Sequence, residues 1–278
     1  GGQEFEVDMY LYDVIRGAVL VNKKYKGNKE TKSDIVRQFA GEILLALTGD
    51  RGVFDTRIAF MARGRGSTYI YTINFDGSGL ARVTSVPAIA LALKWSPDNS
   101  TFAFTSYRDK NPDLYVCSAG GGAIRKISGY HGINLAGGWS PDNRRLAVTL
   151  SKDGNEEIYV MDTGSKRATR LTHNFAIDVS PSWSPDGGKI AFVSDRAGSP
   201  QIYIMGAGGG GASRLTTHGS YNTSPAWSPK GKTLAFEGSA GGFQIFTIDE
   251  DGSNLKQLTS DRGTHESPSW SPDGRFIV

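Results

Sequence analysis

Apolar residues in this chain fall in short words separated by polar turns. Triplets recur as FAF at 102, LAV at 146, IAF at 190, LAF at 234 and FIV at 276, each about six residues after a Trp-Ser-Pro. An earlier IAF at 58 lacks that prefix. Second words follow (YIYTI, DLYVC, EIYVM, QIYIM and QIFTI), then a glycine-rich turn, then RVT, KIS, RLT, RLT and QLT. Such short words, rich in β-branched and aromatic residues and bounded by turn formers, predict strands. The five tryptophans, Trp95, Trp139, Trp183, Trp227 and Trp270, recur every 43 or 44 residues. That period with four short strands is one blade of a β-propeller. A helical solenoid would instead show apolar spacing near 3.6 residues. The expectation is a mainly β fold. Its core is a six-bladed propeller over 53–278, with the sixth blade truncated.

The front of the chain follows other rules. Residues 4–12 alternate, with Phe5, Val7, Met9 and Leu11 on one side and Glu4, Glu6, Asp8 and Tyr10 on the other. That is a half-buried strand, and 18–25 can pair back on it. In KSDIVRQFAGEILLALTG, Ile35, Phe39, Ile43 and Leu47 fall at four-residue steps. They predict an amphipathic helix with Ser33 as N-cap and Gly49 as its stop. Residues 1–52 thus read as part of a small α/β domain preceding the propeller.

Composition narrows the function. A chain that is 38% hydrophobic and 21% charged buries a core, and a net charge of +3 is too weak to argue for nucleic acid or an anionic membrane. No apolar run reaches the roughly 18 residues that span a bilayer. Cys117 is the one cysteine, so no intrachain disulfide or CxxC zinc site exists. The opening GGQEFEVDMYLYDV is no signal peptide, and WSPDGRFIV stops inside a repeat. The expectation is a fragment cut at both ends, or a mature chain lacking its tail.

Candidate chemistry is sparse. Asp186 in WSPDGG resembles a catalytic acid in isolation, but Asp98, Asp142 and Asp273 repeat it and Lys230 replaces it once. It reads as a turn residue, with Pro185 fixing φ and Gly187 accepting a positive φ. No G-x-S-x-G, H-E-x-x-H or G-x-x-x-x-G-K-[ST] occurs. GAGGGGAS at 206–213 sits where other repeats have a hairpin. All four histidines, His131, His173, His218 and His265, lie in the loops joining one blade to the next, too far apart for one tetrahedral metal site. In a four-stranded meander, loops after the second and fourth strands share a face. Here those loops are irregular, while the loops on the other face are uniform turns. Irregular loops on a rigid scaffold suit recognition.

The stretch LALTGDRGVFDTRIAF (45–60), following a hairpin and helix and leading into W-S-P-D-G blades, resembles the domain junction of the TolB family. These are the periplasmic propellers of the Tol–Pal system. The likeness covers essentially the whole chain. It implies a non-enzymatic, monomeric periplasmic protein that docks the lipoprotein Pal on one propeller face. It further implies support of outer-membrane integrity and constriction, colicin-type peptides at the same face, calcium in the channel, and TolA contact through an N-terminal segment outside this chain. Carried onto this sequence, the channel-mouth role falls where the chain turns into the channel wall: Asn134, Asp178, Ser180, Asn222, Thr223, Ser224, His265 and Glu266. His131 lies in such a loop, and Arg108, Arg196 and Arg262 form the rim. Two alternatives stay open: the propeller domain of a peptidase or lyase, and a ligand-sensing propeller module.

Overall fold

A computed structural model describes residues 4–64 and 66–278. By internal contacts the chain forms two compact units. One gathers residues up to Ile58 with 72–81 and 271–273; the other holds 59–71, 82–270 and 274–278.

In the first unit, β1 (Phe5–Asp13) and β2 (Ala18–Gly27) form an antiparallel hairpin with a bulge between Leu11 and Tyr12. Helix α1 (Lys32–Thr48) packs on β2. Thr31, and not Ser33, is its N-cap. The Asn28 carboxamide oxygen accepts the N–H groups of Glu30 and Thr31, so the entry turn is set before Ser33 is reached. Gly49 ends the helix at φ 77°, its N–H donating to Leu45 O, as a left-handed C-terminal glycine should. Ile35 and Phe39 are buried, whereas Leu47 is exposed, so the apolar stripe covers only the first half of the helix. Arg37 is buried with them and donates to Asp76 (2.9 Å), Ser78 (3.0 Å) and Asp34.

The propeller begins with a three-stranded sheet, β3 (Arg57–Gly64), β4 (Ser67–Asn74) and β5 (Ala81–Val86). Four four-stranded antiparallel meanders follow. The second blade is β6 (Ala90–Trp95), β7 (Thr101–Ser106), β8 (Asp113–Ser118) and β9 (Arg125–Ser128). The third is β10 (Asn134–Trp139), β11 (Arg145–Leu150), β12 (Glu157–Asp162) and β13 (Ala168–Arg170). The fourth is β14 (Asp178–Trp183), β15 (Lys189–Ser194), β16 (Gln201–Gly206) and β17 (Ser213–Arg214). The fifth is β18 (Asn222–Trp227), β19 (Thr233–Ser239), β20 (Phe243–Asp249) and β21 (Lys256–Gln257). The last repeat reaches only a single bridge, Trp270 to Ile277. The six-bladed expectation is therefore corrected: among the described residues there are five blade sheets. The expected α/β domain is likewise one helix on a two-stranded hairpin.

The first strands β6, β10, β14 and β18 pack successively on one another and form the inner wall. The apolar triplets sit on the second strands and are buried, as at Phe102, Leu146, Ile190 and Leu234. Tryptophans seal the blade seams. Trp183 joins Ala147 and Ile158 of the preceding blade in one apolar cluster, with the Arg145 guanidinium 5.0 Å from its ring centre. Trp139 and Trp270 donate their indole N–H to Lys94 O (3.3 Å) and Ala226 O (2.9 Å), again one blade back.

The W-S-P-D-G turns are scaffold. Ser184 Oγ donates to Asp186 (2.6 Å) and accepts Lys189 N–H (2.9 Å), and Asp186 accepts Gly188 N–H (2.9 Å). The Ser184 hydroxyl bond, followed by that N–H, lowers the Asp186 pKa. Ser96–Asp98, Ser140–Asp142 and Ser271–Asp273 repeat the hydroxyl bond at 2.6, 2.5 and 2.6 Å. Gly187 has φ 72°, as the turn requires. Cys117 is buried in the wall, and burial pushes its thiol up to about 11, so it is unreactive at neutral pH.

Candidate functional site

Hydrogen bonds tie the irregular loops into one face. Asn111 Nδ2 reaches across to Tyr130 O (3.1 Å), and Asn155 Nδ2 to Asn174 O (2.7 Å) and Ala176 O (2.8 Å). Tyr107 N–H donates to Ile89 O (3.0 Å), and Ser239 N–H to Tyr221 O (3.0 Å). In each pair the end of a second strand, or the loop after it, is latched to a crossover between blades.

The twelve residues singled out in the sequence separate into three layers. Asn134, Asp178 and Asn222 lie beneath the surface, with 0%, 0% and 3% of their area exposed. Asn134 accepts from Ser128 Oγ (2.7 Å) and Tyr130 N–H (3.1 Å) and donates to Tyr130 O (2.8 Å) and Gly132 O (3.2 Å). It shapes the loop that carries His131. Asn222 donates to Gln201 Oε1 and His218 O, both at 2.8 Å. Arg196 clamps both Asp178 oxygens (2.8 and 3.1 Å), with its guanidinium 4.9 Å from the Tyr203 ring centre. Burial nonetheless pushes the Asp178 pKa up, against the lowering by Ser194 and Arg196. These residues hold loops in shape, since a buried polar group needs its partners.

A second layer lies on the inner strands. Ser180 and Ser224 adopt φ of 55° and 52°, inside bulges that break the register of β14 and β18. Non-glycine residues rarely take this conformation, and bulges re-aim side chains. Ser224 Oγ donates to Glu237 Oε2 (3.2 Å), which also accepts Ser267 N–H (3.2 Å). Burial raises the Glu237 pKa against those two bonds. Thr223 stands half-exposed beside Ser224.

The third layer is the surface. Arg108, His131, Arg262 and Glu266 are exposed, and half-buried His265 pairs Nε2 with Asp261 Oδ1 (2.9 Å). The same loops expose Ile89, Tyr107, Tyr130, Phe175, Ile177 and Tyr221. Phe175 is fully exposed, at 105%. Polar candidates drew attention in the sequence, and this apolar set was missed. Its signal was present: Phe175 and Ile177 in THNFAIDV are apolar yet belong to no strand period.

A calcium ion takes six to eight oxygen ligands, usually with several carboxylates. Among the described residues no three His, Cys, Asp or Glu converge.

The profile of the TolB β-propeller domain matches residues 45–278. The chain belongs to the TolB β-propeller family. A Tol–Pal system protein TolB of Syntrophus aciditrophicus (strain SB) is 54% identical over 119 residues, 41% of this chain and 26% of that protein. The chain thus matches about a quarter of that relative's length. The crystal structure of TolB from Acinetobacter baumannii superposes with a TM-score of 0.85 at 32% identity, covering 98% of this chain and 70% of that one. The tricorn protease, at 15% identity and a TM-score of 0.59, covers 79% of this chain and 24% of its own; it shares the fold alone. No helix among the described residues of this TolB-family chain is long and apolar enough to cross a membrane.

Proposed function

We propose that this chain is the propeller-bearing part of a non-enzymatic, periplasmic component of the Tol–Pal system. Its latched loop face docks the soluble domain of the lipoprotein Pal. In that role it supports outer-membrane integrity and constriction at division, with colicin-type peptides as competitors for the face. TolA is the second partner that membership of the Tol–Pal system suggests. Residues up to 52 serve as a front module and 53–278 as the docking propeller.

One observation carries the reading: six apolar side chains stand exposed on the irregular loops, and buried Asn134 and Asn222 hold the loops of Tyr130 and Tyr221 in shape. Apolar area on a rigid rim, interspersed with Arg108, His131 and Glu266, is what a protein interface centres on. Charged neighbours add steering and register. Names of relatives support the same reading, since they are Tol–Pal proteins. Calorimetric titration with Pal from the same source tests it. Saturable binding is expected, and Phe175→Ser should weaken it at least tenfold, about 1.4 kcal/mol, with the fold intact. A well-folded protein that takes up no Pal overturns the proposal.

A further inference from the structure

The outer face of the β1–β2 hairpin changes character along its length. Across the strands it pairs Glu6 with Lys26, Asp8 with Lys24, Tyr10 with Asn22 and Tyr12 with Val19. The charged end is closed on itself. Lys24 Nζ lies 2.8 Å from Glu6 and 3.8 Å from Asp8, and Lys26 Nζ lies 3.3 Å from Glu6. Next, the exposed Tyr10 and Tyr12 rings stack with their centres 5.9 Å apart. Beyond them the turn carries Val14 and Ile15, 90% and 93% exposed. Val19 and Leu20 lead back from it, also exposed, and the bulge leaves Leu20 without a partner in the register.

The fold does not call for these apolar residues. Turns favour Gly, Pro, Asn, Asp and Ser, and Asp13 and Gly17 already supply what this one needs. Asp13 Oδ1 accepts the N–H groups of Ile15 (2.9 Å) and Arg16 (3.0 Å), and Gly17 takes φ 62°. Val14 and Ile15, so exposed, pack on nothing. A local rule broken without a structural gain marks a functional position.

The order of charge, tyrosine and aliphatic tip is that of a membrane interface, where tyrosine sits at headgroup level. The depth agrees: at about 3.3 Å per residue, Val14 and Ile15 reach roughly 7–10 Å past Tyr12, and interfacial segments bury to about 5–10 Å. Side chains standing clear of the chain suit a deformable apolar medium better than a preformed pocket. Two turn donors are satisfied by Asp13, as backbone leaving water requires. Arg16, exposed, with Asp13 3.7 Å away, gives the tip one cation and one anion. That pair complements a zwitterionic headgroup, and a long arginine can reach lipid phosphate from an apolar setting.

We propose that the β1–β2 hairpin tip is a reversible lipid anchor. Val14, Ile15 and Leu20 enter the surface of a zwitterionic phospholipid bilayer, Tyr10 and Tyr12 lie among the headgroups, and Arg16 meets lipid phosphate. The anchor is built from the first structural unit alone and does not depend on the propeller face proposed for Pal.

The test is sedimentation of the intact protein with phosphatidylcholine vesicles at millimolar lipid. The protein should sediment with them. Val14→Ser combined with Ile15→Ser should weaken this at least tenfold at unchanged melting temperature, since neither side chain packs on the fold. Phe175→Ser removes an equally exposed apolar residue of the propeller and should leave vesicle binding unchanged. A fluorophore attached at Ile15→Cys, with Cys117 buried and unlabelled, should shift to the blue with vesicles. No vesicle binding by the wild type, or equal binding by the double variant, would overturn the proposal. A blue shift with the soluble domain of Pal and none with vesicles would make the tip a protein contact and overturn it as well. Pal titration is run without lipid, so each proposal can fail while the other stands.

Discussion

Arg196 looks like a rim cation in the sequence, and in the structure it is the clamp on Asp178. Breaking a buried ion pair from one side leaves an uncompensated charge. Arg196→Met should therefore cost about 3 kcal/mol in urea unfolding, and adding Asp178→Asn should recover most of the loss. Glu237 offers a pH test. Burial raises its folded pKa above its ordinary 4.5, so the folded state holds the proton more tightly than the unfolded chain. Its contribution to stability is present below about 4.5 and is lost as pH rises through the raised value. Glu237→Gln should raise the melting temperature at neutral pH and flatten its decline above that point. A steeper decline in the variant would refute the assignment. Asn134, Asp178 and Asn222 were legible as positions, because each opens an inner strand. The burial of Asp178 and Asn222 was not, because Arg196 stands 18 residues from Asp178 and Gln201 21 residues from Asn222, and only the closed blade brings those pairs together.

At the scale of the element, the W-S-P-D-G turn and the tryptophan seam read directly from the repeat. One serine, one aspartate and one positive-φ residue recur at fixed spacing, and their chemistry is local. Ser184→Ala removes a buried hydroxyl that both donates and accepts, and should cost about 1–2 kcal/mol. The bulge in β10 is less legible. A Cβ at Gly137 would lie 2.5 Å from Ala147 O and 2.5 Å from Pro181 Cγ, so the strand needs glycine for close approach to the next blade. Gly137→Ala should lower stability by about 2 kcal/mol through overpacking. Gly208→Ala faces open space at an ordinary φ and should change it by less than about 0.5 kcal/mol. The front helix was legible in place and period, and its cap was not, since the Asn28 side chain claims the entry turn first.

For the whole molecule, the propeller and its irregular face follow from strand alternation alone, while the number of sheets depends on how far each repeat pairs. The last repeat closes only Trp270 on Ile277, with Ser269 and Val278 exchanging N–H···O bonds at 2.9 Å. Phe175 escaped the pattern because a loop apolar residue has no period, and only its full exposure marks it. On the proposed docking, partners meet the latched loops and not the uniform turns. Hydrogen exchange on the protein alone and saturated with the soluble domain of Pal tests this most directly. Slowed exchange is predicted at 107–112, 129–133, 172–177 and 217–221, with the turns at 97–100, 141–144 and 185–188 unchanged. Protection confined to those turns, or spread equally over both faces, would contradict the account.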